Sequence, residues 1–114
     1  MGPYARLRDA AVADHTAAGV IAPEHPCLAG HFPGEPVVPA VVLLDFAARA
    51  LSDALGRRVR LTAVPAVKFL HPLRPGQMFF VDLQIDEPRC SARFTAQATG
   101  VELAQGRLEY ADEP

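Results

Sequence analysis

The sequence predicts an α+β domain in which an antiparallel sheet wraps around one long helix. A run of apolar residues with helix-start and helix-stop signals covers about Ala40 to Leu55. Long segments in which apolar and polar residues alternate follow it, and one helix followed by a meander of strands is typical of this class. Residues 1–114, half of them hydrophobic, are expected to form a single domain around one core.

The predicted central helix has clear boundaries. Pro39 suits a helix start, because its φ is fixed near the helical value, and Gly56 suits a helix stop. Between them the segment AVVLLDFAARALSDAL is apolar on nearly every side, so we expect the helix to be buried.

The strands are predicted from alternation with a period of two. The first is expected at Thr16–Ala22, with residues 1–14 forming a flexible arm or an edge strand. After the helix, segments 58–70, 77–86, 90–99 and 101–111 read as four long strands separated by turn residues. Pro65 lies inside the first of these four, which indicates a bulge or an edge position there.

Composition excludes several classes of partner. The net charge of −2 and the pI near 6.0 give no sign of a nucleic-acid or membrane-surface partner. The longest apolar run is too short to cross a bilayer, and residues 1–16 lack the apolar core of a signal peptide, so a cytoplasmic location is expected. No Gly-rich phosphate loop is present, so no cofactor is expected.

The two cysteines, Cys27 and Cys90, match no metal-binding spacing and are interpreted as reduced thiols. Cys27 precedes His31 by four residues, but one Cys and one His are a weak metal signal, so no metal site is expected.

Residues 26–46, PCLAGHFPGEPVVPAVVLLDF, combine a Pro- and Gly-rich loop with the start of the helix. The prolines exclude a helix interior and a central strand, so this loop is expected to hold His31 and Phe32 in place. Taken alone, His31 is also compatible with an ordinary hydrogen-bonded loop histidine. Asp45 is equally compatible with a solvated charge ladder, since Arg49 and Asp53 follow it at intervals of four.

The joint pattern narrows these alternatives. G-H-F-P-G-x-P-V-x-P, followed by an apolar helix with an acid fourteen residues after the His, resembles the β-hydroxyacyl-acyl carrier protein dehydratases. The stretch VKFLHPLRPGQ, residues 67–77, is similar to a second motif of the same enzymes, and the resemblance runs from about Thr16 to Tyr110. The chain is closest in length to the short dehydratases of aryl-polyene and fatty acid synthesis. The resemblance implies a hot-dog fold, a dimer with a continuous sheet, and no cofactor.

The resemblance also implies roles for individual residues. His31 is the base that removes the Cα proton, and Asp45, from the other subunit, is the acid that protonates the departing hydroxyl. The free N–H groups near Ala40 and Val41 bind the thioester carbonyl. Further substrate-binding positions implied by the resemblance are Phe32, Gly34, Pro39, Phe46 and Phe69.

Two departures from the family pattern leave other functions open. Most simple dehydratases of the family have Glu where this chain has Asp45, and Gly where it has Ala40. The leading interpretation is a (3R)-hydroxyacyl-[acyl carrier protein] dehydratase, a hydro-lyase that forms the trans-2-enoyl thioester. The alternatives are an acyl thioesterase, or a non-catalytic hot-dog subunit or acyl-binding module that needs a dehydratase partner.

The expected partners are an acidic acyl carrier protein and a second copy of the chain, in a homodimer or a larger oligomer of dimers. The cationic side chains that form either a docking rim for the carrier or an ordinary solvated face are Arg57, Arg58, Arg60, Lys68 and Arg74. His71 is expected to be structural or exposed, and His15 and His25 are expected at the surface.

Overall fold

A computed structural model describes residues 12–22 and 37–114. In chain order its elements are β1 (Val12–Val20), α1 (Ala40–Leu55), β2 (Val59–Phe69), β3 (Met78–Asp86), a short 3₁₀ helix (Glu87–Arg89), β4 (Ser91–Ala98) and β5 (Val101–Asp112).

The five strands form one antiparallel sheet in the order β1-β3-β4-β5-β2. Helix α1 covers one face of this sheet, which confirms the predicted α+β architecture. Alternate residues of β3 are buried beneath the helix, from Phe79 to Ile85, because successive side chains of a strand point to opposite faces. The helix contributes its own buried stripe, which consists of Leu43, Ala47, Ala50 and Leu51.

The helix boundaries are confirmed at Ala40 and Leu55. Pro39 precedes the first turn in an extended conformation, with φ −60° and ψ 147°. Gly56 ends the helix with φ 71°, a left-handed conformation that favours glycine, and its N–H donates to the carbonyls of Ser52 and Asp53. The Ser52 hydroxyl accepts the Val59 N–H at 3.0 Å, so the end of the helix is fastened to the start of β2.

The first strand differs from the prediction. It covers Val12–Val20 instead of Thr16–Ala22, and it lies at one edge of the sheet beside β3. Strand β2 forms the other edge, and its pairing with β5 is irregular between Leu61 and Ala66, around Pro65. The bulge or edge position predicted for Pro65 is therefore confirmed. Within the described ranges, no helix is long and apolar enough to cross a membrane.

Gly106 allows β2 and β5 to approach closely. A Cβ placed at Gly106 would clash with the Ala66 carbonyl oxygen and would lie 2.9 Å from the Val67 Cα and 3.0 Å from the Phe94 ring. Two of these three atoms belong to the backbone, so rotating a side chain cannot relieve the contact. A residue without a side chain is therefore required at this point of the sheet.

We expect Gly106→Ala to lower the free energy of unfolding by about 1–3 kcal/mol, because the added methyl group must displace the backbone of β2. Urea unfolding measures this change. The matched control is Gln105→Ala, an exposed position on the same strand, which should change stability by less than about 0.5 kcal/mol. Equal stability of Gly106→Ala and the wild type would contradict the close approach.

Tyr110 carries a buried hydroxyl for which the described residues offer no hydrogen-bond partner. Its side chain lies in the core and is only 3% exposed. Burial raises the pKa of the Tyr110 phenol, and the nearby Cys90 and Glu87 raise it further. The charged phenolate is therefore disfavoured in the folded protein relative to the unfolded chain.

Tyr110→Phe should leave stability near neutral pH unchanged or raise it by about 1 kcal/mol, because it removes a buried hydroxyl that lacks a partner. The difference should grow above about pH 10, where the unfolded tyrosine ionises while the folded one stays protonated, so the wild type loses stability first. Denaturant unfolding at pH 7 and between pH 10 and 11 measures both effects. A variant that is markedly less stable at pH 7 would show that the hydroxyl has a stabilising partner.

Candidate functional site

Part of the predicted site lies outside the described residues. His31, Phe32 and Gly34 fall there, as do Cys27 and His25. Their predicted roles stay predictions. The structure does place the helix start, Asp45, Phe46 and Phe69.

The start of α1 presents free backbone donors. The Pro39 carbonyl accepts the Val42 N–H at 3.0 Å, and this closes the first helical turn. The N–H groups of Ala40 and Val41 have no acceptor within residues 12–22 and 37–114. Donors at a helix N-terminus combine with the helix dipole to favour an oxygen that carries negative charge. The predicted carbonyl-binding groups are thus available at Ala40 and Val41.

A hollow of about 240 Å³, the helix-start hollow, lies beside Ala40. Its walls come from the start of α1 and from the end of β2 with the residues that follow it: Val37, Val38, Ala40, Leu43, Phe69, Leu70, His71, Pro72 and Leu73. Phe69 and Leu70 are 46% and 45% exposed, which is high for large apolar side chains. The structure therefore brings together Ala40 and Phe69, two of the predicted substrate-binding residues, in a largely apolar setting.

Backbone hydrogen bonds fix the walls of the helix-start hollow. The Val38 N–H donates to the Leu73 carbonyl at 2.8 Å, which joins the segment before the helix to the second sequence motif. The N–H groups of Leu70 and His71 both donate to the Leu103 carbonyl. The His71 ring Nδ1 lies 3.0 Å from the Glu102 carbonyl oxygen while the residue is exposed, which confirms the predicted structural or exposed role of His71.

Asp45 lies on a different side of α1 from the helix-start hollow. Its side chain is 61% exposed, and Oδ2 accepts a hydrogen bond of 3.0 Å from Arg49 Nε. The expectation that the helix is buried is wrong for one flank of α1 in the single chain, which faces solvent. The exposed Asp45–Arg49 pair agrees with the solvated charge ladder that the spacing also allowed. Val41, on that flank, is 68% exposed.

The open flank of α1 and the start of β2 form the helix-flank groove, a depression of about 970 Å³. Val41, Leu44, Asp45 and Ala48 line it from the helix, and Arg58 and Arg60 face them from β2 and the residue before it. This mixture of apolar and charged side chains lies next to the outer edge of β2, with which no described strand pairs.

The helix itself separates the two predicted chemical groups. Ala40 and Asp45 are five residues apart, so they point in directions that differ by roughly 140° around the helix axis. Accordingly, Ala40 lines the helix-start hollow and Asp45 lines the helix-flank groove. Within one chain, Ala40 and Asp45 therefore line different cavities.

Phe46 takes part in core packing. Its ring packs edge-on against Phe79 at a centroid distance of 4.8 Å, and a Cβ on Gly19 would come within 2.5 Å of it. Phe46 does not line the helix-start hollow with Phe69. A direct role of Phe46 in substrate binding therefore stays a prediction.

The predicted cationic rim divides into separate groups. Arg57 donates to Asp112 at 2.8 Å and to Glu87 at 3.3 Å, and these hydrogen bonds raise the pKa of the guanidinium. Arg57 is thus engaged within the chain.

Within the part of the chain that the structure describes, no group of three or more His, Cys, Asp and Glu side chains is placed to hold a metal ion.

Solved structures with similar folds include dehydratases and thioesterases. The dehydratase heterocomplex ApeI:P from Xenorhabdus doucetiae matches with a TM-score of 0.77 and 22% identity, and the match covers 86% of this chain and 87% of that chain. The fluoroacetyl-CoA thioesterase FlK matches with a TM-score of 0.69 and 22% identity over 87% and 84% of the two chains. At these identities the matches establish the fold, which is the hot-dog fold.

The sequence then narrows the class to a family. Residues 8–107 match the ApeI-like family, described as ApeI dehydratase, and the chain belongs to that family. It is also similar to the 3-hydroxyacyl-[acyl-carrier-protein] dehydratase FabZ of Haemophilus influenzae (strain 86-028NP), at 32% identity over 96 residues, which are 77% of this chain and 63% of FabZ. The FabZ of Blochmanniella pennsylvanica is 34% identical over 84 residues, which cover 65% and 56% of the two proteins. The chain spans about three fifths of the length of the FabZ proteins it matches.

Sequence reasoning missed several walls of the helix-start hollow. Leu43, Leu70 and Leu73 line it but were not predicted as site residues. Leu43 follows Ala40 by three residues, and that spacing places both on one side of a helix. Leu70 and Leu73 belong to the second motif itself, which was an available signal.

Proposed function

We propose that this protein is a (3R)-hydroxyacyl-[acyl carrier protein] dehydratase, a hydro-lyase of fatty acid or polyene synthesis. The observation that carries the proposal is the N–H group of Ala40, which has no acceptor among the described residues and belongs to a residue that lines the apolar helix-start hollow; the Val41 N–H lies next to it at the same helix end. Such a site suits a thioester carbonyl joined to an apolar chain. Membership of the ApeI-like dehydratase family and similarity to FabZ support this choice of reaction.

In the proposed reaction, His31 takes the proton from Cα while the thioester oxygen gains negative charge. The N–H groups of Ala40 and Val41 stabilise that charge. The carbon–oxygen bond at Cβ then breaks, and Asp45 gives its proton to the departing hydroxyl, which leaves as water. The product is the trans-2-enoyl thioester, and the proton on His31 is returned to Asp45 or to solvent before the next turnover.

We further propose that two copies of the chain complete each site. Within one chain, Ala40 and Asp45 face different sides of α1, whereas a second chain could bring its own Asp45 to the helix-start hollow. The edge of β2 that pairs with no described strand offers hydrogen-bonding groups for a continuous sheet, and the helix-flank groove beside it offers apolar surface. A homodimer, alone or within a larger oligomer of dimers, would cover this groove and exclude water from Asp45.

The two alternative functions can be distinguished from a dehydratase by the product formed. The similarity to FlK supports the thioesterase alternative through the fold alone, and the similarity to the ApeI:P heterocomplex supports the alternative of a non-catalytic subunit that needs a partner. Incubation with a 3-hydroxyacyl carrier protein separates the three possibilities. A dehydratase forms the enoyl thioester, a thioesterase releases the free acid, and a non-catalytic subunit gives neither product alone.

A cytoplasmic location and a single domain over residues 1–114 are part of the same proposal. All five described strands belong to one sheet that packs on one helix, which supports one domain. The exposed, unpaired thiol of Cys90 is compatible with a reducing compartment.

Ala40→Pro tests the carbonyl-binding donor with little damage to the fold. Proline is well tolerated at the first position of a helix, and the extended Pro39 has the conformation that a following proline requires. The change removes the Ala40 N–H, so we expect kcat to fall by about 10²–10³-fold, the usual cost of losing one oxyanion donor. Enoyl formation and thermal unfolding are measured together.

The matched control is Ala40→Val, which adds similar bulk but keeps the N–H. It should retain much more activity than Ala40→Pro, although the narrower hollow can raise KM. Equal activity of the two variants, with both folded, would remove Ala40 from the role of carbonyl donor.

Mixed dimers test the shared site. His31→Ala and Asp45→Asn should each be inactive as pure proteins. When equal amounts are unfolded and refolded together, about half of the dimers are mixed, and each of these contains one site with both wild-type residues. About a quarter of wild-type activity should therefore return.

Heterodimer formation is verified with two different affinity tags on the two variants. Asp45→Asn should also unfold within about 1 kcal/mol of the wild type, since the Asp45–Arg49 ion pair is exposed and worth little. If verified heterodimers stay inactive, His31 and Asp45 do not act across the subunit boundary.

A further inference from the structure

Two arginines lie directly opposite each other on the sheet face that α1 does not cover. Arg93 of β4 pairs with Arg107 of β5. Their neighbours along the strands, Ala92, Phe94 and Leu108, are buried beneath the helix, so the two exposed arginines point away from it. Like charges at directly opposed positions destabilise a sheet, so a negative group bound beside this pair would stabilise it.

A third cation belongs to the same cluster. Lys68 lies opposite Gln105, one row from the arginine pair. Lys68, Arg93 and Arg107 line a hollow of about 430 Å³, which we call the outer-face basic hollow. No ion pair to any of these three side chains is present within residues 12–22 and 37–114.

Other arginines of the chain already have carboxylate partners. Arg49 pairs with Asp45, Arg57 with Asp112 and Glu87, and Arg89 with Asp86. Arg58 and Arg60 share the helix-flank groove with acidic side chains. Arg93 also lines a second hollow toward β1 and β3, whose walls include Asp14 and Asp82, whereas Arg107 and Lys68 line only the outer-face basic hollow. The outer-face basic hollow has no acidic residue among its walls.

The outer-face basic hollow adjoins the proposed substrate site through β2. Lys68 lines the outer-face basic hollow, and the next residue, Phe69, lines the helix-start hollow. Consecutive residues of a strand are separated by about 3.3 Å and point to opposite faces. Beyond Phe69 the chain leaves the sheet, so both hollows lie close to the end of β2.

We propose that the outer-face basic hollow is the docking surface for the acidic carrier protein that delivers the acyl thioester. The proposal rests on the proposed function and adds the location of the carrier. Negative groups on the carrier compensate Arg93 and Arg107, and a carrier docked there is held beside the helix-start hollow. This assignment replaces Arg57 in the predicted rim with Arg93 and Arg107, and it keeps Lys68.

The test uses the full chain and the holo-acyl carrier protein of Haemophilus influenzae as the probe. The double variant Arg93→Gln/Arg107→Gln should weaken carrier binding by about tenfold or more and should make binding less sensitive to salt. The matched control, Arg89→Gln, changes an exposed arginine whose partner is Asp86. It should bind the carrier within about twofold of the wild type.

Further measurements distinguish docking from a merely structural role of the two arginines. If the arginines serve docking, the double variant should be at least as stable as the wild type, because it removes a repulsive pair. It should also turn over a 3-hydroxyacyl N-acetylcysteamine thioester, an uncharged substrate without a carrier, at the wild-type rate. Its KM for the carrier-bound substrate should rise while kcat changes little.

Failure of docking and failure of the proposed function give different results. Wild-type binding by the double variant, equal weakening by Arg89→Gln, or no measurable binding of the carrier by the wild type overturns the docking surface. A change of oligomeric state in the double variant overturns it as well, since the surface would then contact a second copy of the chain. If the wild type dehydrates neither substrate while Arg93→Gln/Arg107→Gln alone loses carrier binding, the docking surface holds and the proposed function fails.

Discussion

The contact between α1 and the sheet determines which helix residues face each cavity of the molecule. One stripe of the helix, including Leu43, Ala47 and Leu51, is buried against the sheet. Burial of this stripe fixes the rotation of the helix about its axis. Ala40 must then open toward the end of β2, while Asp45 faces the opposite flank beside the edge of the sheet. The 16-residue helix thus directs Ala40 and Asp45 to different cavities of one chain. In the proposed dimer, a second chain beside the open flank and the outer edge of β2 supplies the other group.

Much of the fold could be predicted because local chemistry determines it. The bounds of α1 follow from its two flanking residues. Pro39 is extended before the first turn, and Gly56 ends the last turn in a left-handed conformation. Alternation predicted the strands after the helix, and it is most regular in β3, which buries every second residue. The first strand was misplaced because its alternation is weak and no turn residue marks its start. Pairing with β3, from Val12 opposite Asp86 to Val20 opposite Met78, sets its limits, and such long-range pairing leaves no local signal.

The site was predictable in its residue types but less so in its surroundings. The motifs led to Ala40 and Phe69, and the structure brings these two together. The apolar composition of α1 predicted a buried helix, yet one flank of it, with Asp45, is exposed in the single chain. Periodicity does not distinguish burial within a chain from burial between chains. The cationic cluster was missed for a related reason: Arg93 and Arg107 are fourteen residues apart, and only the register of β4 on β5 sets them side by side.

The central claim is that one site combines the helix start of one subunit with the acid of another. A crystal structure of the protein with a non-reactive 3-hydroxyacyl pantetheine analogue tests it most directly. The predicted result is an acyl carbonyl that accepts the Ala40 N–H, with the β-hydroxyl within hydrogen-bond distance of Asp45 from the second subunit. An analogue bound elsewhere, or bound at Ala40 with both Asp45 carboxylates paired to Arg49 in solvent, would contradict the claim.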